Sequence, residues 1–340
     1  MATIADVAAE AKVSTATVSR VLNGSYSVTE EKKRRVMEAI EKVGYQIPER
    51  TLQNHKRTNA YSKNSVLLVI ASNWIPEFLQ AFQSSAAANG YHIVATHYEN
   101  PEEFGHLSGL IAALSPVLAG ILLINAADNS RKFQSLIEGY PLVQIGEPIM
   151  ERAPNLVVYN DEIRMSQDAT NYLLDRGCRN IGILTTEPSA NTALFYQMKR
   201  LNGYYLALMN RGLPVDQSFS QFVDVSIDGG YEGAKELLAR HPGLDAIIGI
   251  TDTIAQGAIY AIRRAGRSTD EIKVFSLDNS EIWDFDNDNF PYIDPHHDEM
   301  ASTAFQVLHA AISGELSGDY RVVIRHTLQQ TRQPHGTPPI

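Results

Sequence analysis

The sequence predicts a small all-α head followed by an α/β core of two lobes, each built on a doubly wound parallel sheet. Two patterns carry this prediction. Apolar residues recur at helical spacing through the first 45 residues, whereas strand-like and helix-like segments alternate from residue 66 onward. The length of 340 residues also suits two or three domains. We therefore predict a head over residues 1–46, a linker over 47–65, a core over 66–333 and a tail over 334–340.

The composition excludes several classes of protein. Hydrophobic residues make up 44% of the chain and aromatic residues 8%, which is typical of a folded protein rather than a disordered one. The apolar runs are far shorter than the roughly 20 residues of a membrane span, and charged residues follow Met1 too soon for a signal peptide. The one cysteine, Cys178, excludes a disulfide framework and a cysteine-based zinc site, and we expect it to be buried. The sequence therefore predicts a cytoplasmic protein with no membrane partner.

Charge is unevenly distributed along the chain. The whole chain has a net charge of −10, but residues 1–64 contain 11 basic and 7 acidic residues and so carry a net charge of +4. The other 276 residues carry −14. A basic head on an acidic body indicates that one small module binds a polyanion such as nucleic acid. The alternative is a chance fluctuation in a solvated head.

Three short helices are predicted in the head. Thr3 is the expected N-cap of the first, with an acidic partner three residues on that completes a capping box. Ser14 caps the second, which ends near residues 23–24 because both tolerate the left-handed conformation. Thr29 caps the third, and Gly44 ends it. Two tightly joined helices with a third packed on them form a helix-turn-helix.

The second helix presents a face suited to DNA. Its hydroxyl side chains can bond phosphates, and Ala16 and the methyl group of Thr15 can contact thymine methyls. Arg20 can bond the edge of a guanine. The alternative is a small helical bundle with an ordinary polar face.

The head resembles the N-terminal motif of the LacI/GalR family of transcriptional repressors, in segments 3–8, 13–23, 28–31 and 43–45. In that family the second helix enters the major groove. The resemblance implies that Thr15, Ala16 and Arg20 face bases. It also implies a set of residues that hold the DNA backbone or the helix geometry, namely Thr3, Ser14, Thr17, Ser19 and Asn23.

The linker departs from the pattern of this family. Its members carry a hinge helix whose leucine wedges into the minor groove and kinks the operator. Here the wedge position falls at Asn54 or His55, and Leu52 lies two or three residues early. We therefore expect these three residues near the DNA, in a looser basic linker that relies on phosphate contacts.

In the core, two series of alternating strands and helices join near residues 157–161, so we expect two similar lobes with parallel sheets. Lobe 1 is predicted over about 66–160 plus 294–318, and lobe 2 over about 161–290 plus 319–333. Ligands bind such sheets at the carboxyl ends of the strands, which makes the cleft between the lobes the natural site. The predicted strands are 66–71, 91–97, 120–125, 141–145, 180–185, 221–225, 245–250 and 273–277, and the predicted helices are one opened by Pro76 and 103–114, 198–210, 230–240 and 253–265.

Signatures of catalysis and of metal binding are missing from the sequence. It has no glycine-rich phosphate loop, zinc-protease helix or serine-hydrolase elbow, so we expect neither an enzyme nor a cofactor. The acidic segment 284–288 imitates a calcium loop but lacks its turn glycine and its final glutamate. His296 and His297 are adjacent, which points them in different directions, and no third ligand is evident. No metal site is therefore predicted.

The core resembles the effector-binding core of the same family, which has a periplasmic-binding-protein-like fold. Segments 200–204, 251–258 and 277–279 match its ligand-contacting motifs, and residues 294–295 match the crossover before its last helix. The loop at residues 73–74 corresponds to its effector loop. The resemblance implies that the effector-binding residues are Asn73, Trp74, Tyr196, Arg200, Thr251, Asp252, Asp278 and Asp294.

Together these features predict a sequence-specific transcriptional regulator, of the repressor type. A homodimer would place two recognition helices on a pseudo-palindromic double-stranded operator. A small polyhydroxylated effector such as a sugar, sugar phosphate or nucleoside would bind between the lobes, because arginine and aspartate make directional bonds to hydroxyls. The alternative is a solute-binding component of a sugar transport system with the same core fold. The basic head and the missing export signal argue against it.

Overall fold

The computed structural model describes residues 2–22, 30–45, 63–70, 76–98, 101–125, 130–146, 156–187, 195–279 and 290–330. No helix in these ranges is both long and apolar enough to cross a lipid bilayer. The head and the core belong to separate compact units and are described in turn.

The described part of the head contains three helices, at the positions that the sequence predicts. The capping box is present, because the Thr3 hydroxyl accepts a bond from the Asp6 backbone N–H (3.4 Å) and the Asp6 carboxylate accepts one from the Thr3 N–H (2.7 Å). The Ser14 hydroxyl likewise accepts a bond from the Thr17 N–H at 3.1 Å. The helices are α1 (Ile4–Ala11), α2 (Thr15–Leu22) and α3 (Glu30–Val43).

The three helices pack around a small apolar core that includes Val7, Val18, Val36 and Ile40. Gly44 ends α3 with a φ of +68°, a conformation that glycine adopts without strain. The predicted helix end at residues 23–24 and the predicted cap at residue 29 lie outside the described residues.

Lobe 1 is built on a sheet of six strands among the described residues, in the order β11-β5-β4-β3-β1-β2. The pairs β1–β2, β3–β4, β4–β5 and β5–β11 are parallel. The strands are β1 (Ser65–Ile70), β2 (His92–His97), β3 (Leu118–Ile124), β4 (Leu142–Ile145), β5 (Leu156–Asn160) and β11 (Tyr320–Ile324), and the helices are α4 (Pro76–Ala88), α5 (Phe104–Leu114), α6 (Arg131–Ile137) and α11 (His297–Ile312).

Lobe 2 has the same plan, with a described strand order of β12-β10-β9-β8-β6-β7. Its pairs are parallel except for β10–β12, which is antiparallel. The strands are β6 (Ile181–Thr185), β7 (Ser220–Phe222), β8 (Ala246–Gly249), β9 (Lys273–Ser276), β10 (Tyr292–Asp294) and β12 (Thr327–Gln329), and the helices are α7 (Glu162–Asp175), α8 (Phe195–Asn210), α9 (Ile227–Arg240) and α10 (Asp252–Arg264).

The predicted fold class is therefore confirmed. Strands β1, β3, β4, β6 and β8 are buried along their whole length, as expected where helices cover both faces of a parallel sheet. Cys178 is buried as expected, and burial raises the pKa of its thiol.

The lobe assignment of the C-terminal strands differs from the prediction. The sequence predicts residues 319–333 in lobe 2, but β11 pairs with β5 and so belongs to lobe 1. The chain thus crosses between the lobes three times, after β5, after β10 and after β11. The difference arises because a strand of five residues carries no local signal of which sheet it joins.

A single side chain ties these three crossovers together. Asn160 ends β5, is 4% exposed, and donates hydrogen bonds from its amide nitrogen to the carbonyl oxygens of Pro295 and Ile324, both at 3.0 Å. Pro295 belongs to the crossover after β10, and Ile324 to the crossover after β11. Asn160 therefore links all three connections at one point.

Candidate functional site

A cleft lies between the two lobes, at the carboxyl ends of strands from both sheets. It has a volume of about 130 Å³. A cavity needs about 10–15 Å³ on this measure to hold one water molecule, so the cleft is large enough for a small organic ligand. The lining residues are Ile70, Phe78, Leu79, Ile124, Asn125, Ile145, Gly146, Asn160, Glu162, Tyr196, Arg200, Val225, Thr251, Asp278, His297 and Met300.

Arg200 forms a buried ion pair on the lobe 2 side of the cleft. Its Nε lies 2.6 Å from Oε2 of Glu162, and the two side chains are 5% and 13% exposed. Its Nη1 donates to the carbonyl oxygen of Ile250. The ring of Tyr196, one turn earlier in α8, lies 5.0 Å from the guanidinium carbon. Helices α7 and α8 thus hold Arg200 in one orientation, with its charge balanced by Glu162.

Asp278 and His297 form a second charged pair. His297 Nε2 lies 2.9 Å from Oδ1 of Asp278, which also accepts a bond from the Asn279 N–H at 2.9 Å. Burial by itself would raise the pKa of Asp278, but the hydrogen bond from His297 and the charges of His297 and Arg200 hold that pKa below its usual range. Burial would lower the pKa of His297, yet the bond to Asp278 and its charge raise it. The contact between them therefore favours the charged form of each group.

The lobe 1 side of the cleft is mainly apolar, with two amide side chains. Asn125 follows β3 with a φ of +51°, and its side chain passes over Gly146 at the end of β4. A Cβ on Gly146 would lie 2.6 Å from Oδ1 of Asn125, and the φ of Gly146 is +89°. The positive φ favours glycine there, whereas the Asn125 side chain could move away from a Cβ. The apolar lining residues of this side are Ile70, Phe78, Leu79, Ile124, Ile145 and Met300.

The structure brings together half of the effector-binding residues predicted from the sequence. Tyr196, Arg200, Thr251 and Asp278 line the cleft. Asn73 and Trp74 lie outside the described residues.

Two predicted aspartates do not line the cleft. Asp252 is 1% exposed in the first turn of α10, directly after its N-cap Thr251. Oδ1 of Asp294 accepts a bond from the His296 N–H at 2.9 Å, next to the left-handed backbone of His296 (φ +56°). Asp252 is thus buried at the start of its helix, and the Asp294 carboxylate bonds to the backbone at the start of α11.

Four polar cleft residues were missed by the sequence analysis, namely Asn125, Asn160, Glu162 and His297. In the sequence, His297 stands out only as half of an adjacent histidine pair. As expected for adjacent residues the two imidazoles diverge, with His296 Nε2 3.1 Å from the Thr327 hydroxyl and His297 at Asp278. No group of three or more potential metal ligands occurs within the described ranges, and the acidic segment 284–288 falls outside them.

In the head, the residues predicted to face DNA bases lie on α2. Thr15 and Ala16 are exposed, whereas the side chain of Arg20 is not described. Among the predicted supporting residues, the Ser14 and Thr17 hydroxyls lie 2.8 Å apart, Thr3 belongs to the capping box, and Ser19 is half-buried. Four other predicted DNA-binding residues lie outside the described residues, namely Asn23, Leu52, Asn54 and His55.

Sequence comparison extends over both parts of the chain. Residues 3–48 match the family "Bacterial regulatory proteins, lacI family", and residues 112–331 match "Periplasmic binding proteins and sugar binding domain of LacI family". The HTH-type transcriptional regulator CelR of Thermobifida fusca is 27% identical over 335 residues, which cover 95% of each chain. The HTH-type transcriptional repressor CytR of Escherichia coli K12 is 28% identical over 294 residues, 84% of this chain and 82% of CytR.

Solved structures have the same fold. A CelR–cellobiose complex superposes with a TM-score of 0.70 at 24% identity, over 97% of this chain and 99% of that chain. A lac repressor dimer bound to operator and the anti-inducer ONPF gives a TM-score of 0.67 at 19% identity, over 97% of this chain and 98% of that chain. With a helix-turn-helix head and a two-lobed core that both match, the chain belongs to the LacI family of bacterial regulatory proteins and is a DNA-binding transcriptional regulator.

Proposed function

We propose that this regulator is a repressor controlled by a small polyhydroxylated effector, sugar-like or nucleoside, that binds in the cleft between the lobes. In this proposal the head, residues 1–46, binds a pseudo-palindromic operator, and the core, residues 66–333, binds the effector and forms a homodimer. The protein acts in the cytoplasm and needs no cofactor. The observation that carries the proposal is the placement of two oriented charged pairs opposite an apolar surface.

This arrangement suits a ligand with hydroxyls on one edge and an apolar face on the other. Arg200 and Asp278 supply directional donors and acceptors, while the lobe 1 side chains cover apolar surface. The solved CelR structure is a complex with cellobiose, which supports a sugar-like ligand here. Tyr196, Arg200, Thr251 and Asp278 are the proposed effector contacts.

The proposed DNA contacts come from α2 and its surroundings. In the proposal, the exposed Thr15 and Ala16 contact base edges together with Arg20, and the nearby hydroxyls contact phosphates. The lac repressor structure is a dimer on its operator, which supports the same assembly for this chain. A transport component would have no use for such a head.

The test is a two-stage measurement on the full chain. Selection from random DNA identifies an operator, and a thermal-shift screen of sugars and nucleosides identifies a ligand. A mobility-shift titration with and without that ligand then measures whether the ligand changes operator affinity. Binding of a ligand that leaves operator affinity unchanged would contradict effector control.

A variant of the head tests the DNA-reading surface. Arg20→Ala is expected to reduce the preference for the selected operator over scrambled DNA by about 10-fold to 100-fold, because a bidentate guanine contact is worth about 1–3 kcal/mol. Arg34→Ala is the matched control, since Arg34 is an exposed arginine of α3 paired with Glu38 at 3.1 Å. It removes the same charge and should leave the preference unchanged. Equal preferences in both variants would contradict the placement of α2.

A further inference from the structure

We propose that His297 is a positioning residue of the cleft, which holds the Asp278 carboxylate toward the ligand and thereby makes the site selective for uncharged, hydroxyl-bearing ligands over their phosphorylated counterparts. This inference rests on the proposed function, in which the cleft holds the effector. His297 does not itself need to touch the ligand.

The pair connects the two lobes at the floor of the cleft. Asp278 follows β9 of lobe 2, whereas His297 begins α11, which packs against α4, β4 and β5 of lobe 1. Oδ1 of Asp278 accepts bonds from His297 and Asn279. No partner for Oδ2 occurs among the described residues, so this oxygen can accept a hydrogen bond from a ligand hydroxyl.

The second nitrogen of His297 shows why the residue acts through Asp278. Nδ1 is inaccessible to solvent and has no hydrogen-bond partner in the described part of the chain. The side chain as a whole is 11% exposed. The only polar contact that His297 makes among these residues is therefore the Nε2 bond that orients the carboxylate.

The charged side chains of the described lining residues are paired with one another. Glu162 compensates Arg200, and His297 compensates Asp278. Among the described lining residues, Arg200 and His297 are the only cationic side chains. A phosphate, with a charge of about −1.5 to −2, would lose its hydration without gaining an uncompensated cation. A ligand hydroxyl can donate a hydrogen bond to Oδ2 of Asp278, and it can accept one from the guanidinium of Arg200.

Two substitutions at position 297 separate the roles of the two ring nitrogens. The amide nitrogen of glutamine reaches about the position of Nε2, and that of asparagine about the position of Nδ1. We expect His297→Gln to keep ligand affinity within about threefold of wild type. His297→Asn should weaken it by about tenfold or more, because the bond that orients Asp278 is lost. Isothermal titration of the full chain with glucose, cellobiose and adenosine measures these affinities.

The same titrations with glucose 6-phosphate and adenosine 5′-monophosphate test the selectivity. Wild type should bind each at least about tenfold more weakly than its uncharged counterpart. Thermal midpoints and operator binding without ligand show that each variant is folded. If His297→Asn does not fold, Asp278→Asn serves instead, and it should reduce the discrimination against phosphate at least about threefold.

Three results would overturn the proposal. The first is equal affinity of wild type for a phosphorylated ligand and its parent. The second is a His297→Asn variant that binds as wild type does, and the third is a His297→Gln variant that loses as much affinity as His297→Asn. If wild type binds none of the five ligands, the ligand found by the thermal-shift screen and its phosphorylated derivative take their place. A screen that finds no ligand would contradict the proposed function itself, and the inference would fall with it.

Discussion

The two sides of the cleft differ in their chemistry and therefore in what each can give a ligand. Lobe 2 contributes oriented ionic side chains, of which Arg200 and Asp278 are each held by two hydrogen bonds. Lobe 1 contributes an apolar surface, the two amides and, at the start of α11, His297. Apolar burial is non-directional, whereas hydrogen bonds depend on geometry. Selectivity should therefore reside in the ionic side chains, including His297 acting through Asp278, and the apolar lobe 1 surface should add affinity without selectivity.

The largest expected effect comes from breaking the Arg200–Glu162 pair. Arg200→Ala leaves the Glu162 carboxylate buried without its partner, so we expect the free energy of unfolding to fall by about 3–5 kcal/mol. Chemical denaturation of the full chain measures this free energy from the unfolding transition of the core.

A double variant serves as the control for that loss. Arg200→Met with Glu162→Gln removes both charges while nearly keeping the volume, and it should be less than half as destabilised as Arg200→Ala. A loss below about 1 kcal/mol for Arg200→Ala would show that the pair is not a structural support of the lobe 2 side.

The next largest effect is expected at the ligand contact of Asp278. Asp278→Asn should weaken binding of an uncharged ligand by about 10-fold to 100-fold, because hydrogen bonds to charged groups contribute about 1.5–3 kcal/mol. Asp175→Asn is the matched control, since Asp175 is an exposed aspartate of α7 that pairs with Arg211 at 2.6 Å and does not line the cleft. Titration calorimetry measures the ligand affinity of both variants. Equal affinities would show that Asp278 does not contact the ligand.

A smaller effect is expected from pH. The charged groups that face His297 are Asp278 after β9, Arg200 of α8 and Asp294 of β10. Because the pKa of His297 is raised on folding, the stability gained from its charged form is complete below its unfolded pKa and is lost as the pH rises through the folded pKa. At the acid end, the stability that depends on Asp278 is lost as the pH falls through its lowered pKa.

We therefore expect wild type to lose about 1 kcal/mol of stability relative to His297→Gln as the pH rises from 6.5, the ordinary pKa of histidine, through the raised pKa of His297. This is the difference between a charge-assisted and a neutral hydrogen bond. Denaturation of both proteins across this pH range measures the difference. A difference that does not change with pH would mean that His297 stays in one protonation state throughout.

The smallest effect is expected on the lobe 1 side. Leu79→Ala removes part of a half-buried apolar lining side chain and should weaken ligand binding by about fivefold, corresponding to about 1 kcal/mol. The loss should be equal for uncharged and phosphorylated ligands. Leu79→Met, which nearly keeps the volume, is the control. A change in the ratio of the two affinities would contradict the division of roles between the two sides.

The elements of this fold were predictable because their signals are local. Thr3 and Asp6 are three residues apart, so the capping box can be read from the sequence alone. The alternation of strands and helices likewise defines the two lobes. The strand at residues 320–324 shows the limit, because its assignment depends on a partner more than 150 residues earlier in the chain.

The site was predictable only in part, for the same physical reason. Arg200 and Asp278 were found by their motifs, but Glu162 and His297 acquire their roles by contact with them across 38 and 19 positions of the chain. A glutamate after a strand and a histidine beside another histidine have no local signal of such a contact. Asp252 and Asp294 illustrate the converse, since they match a motif but do not line the cleft.

The Asn160 amide has a consequence for the design of optical sensors. Because it bonds to both other crossovers, the three connections between the lobes meet at one point of the fold. A rotation of one lobe about these connections displaces an atom in proportion to its distance from that point. Two fluorophores placed on opposite lobes at the mouth of the cleft would therefore report such a rotation with a larger change in separation than a pair placed near Asn160.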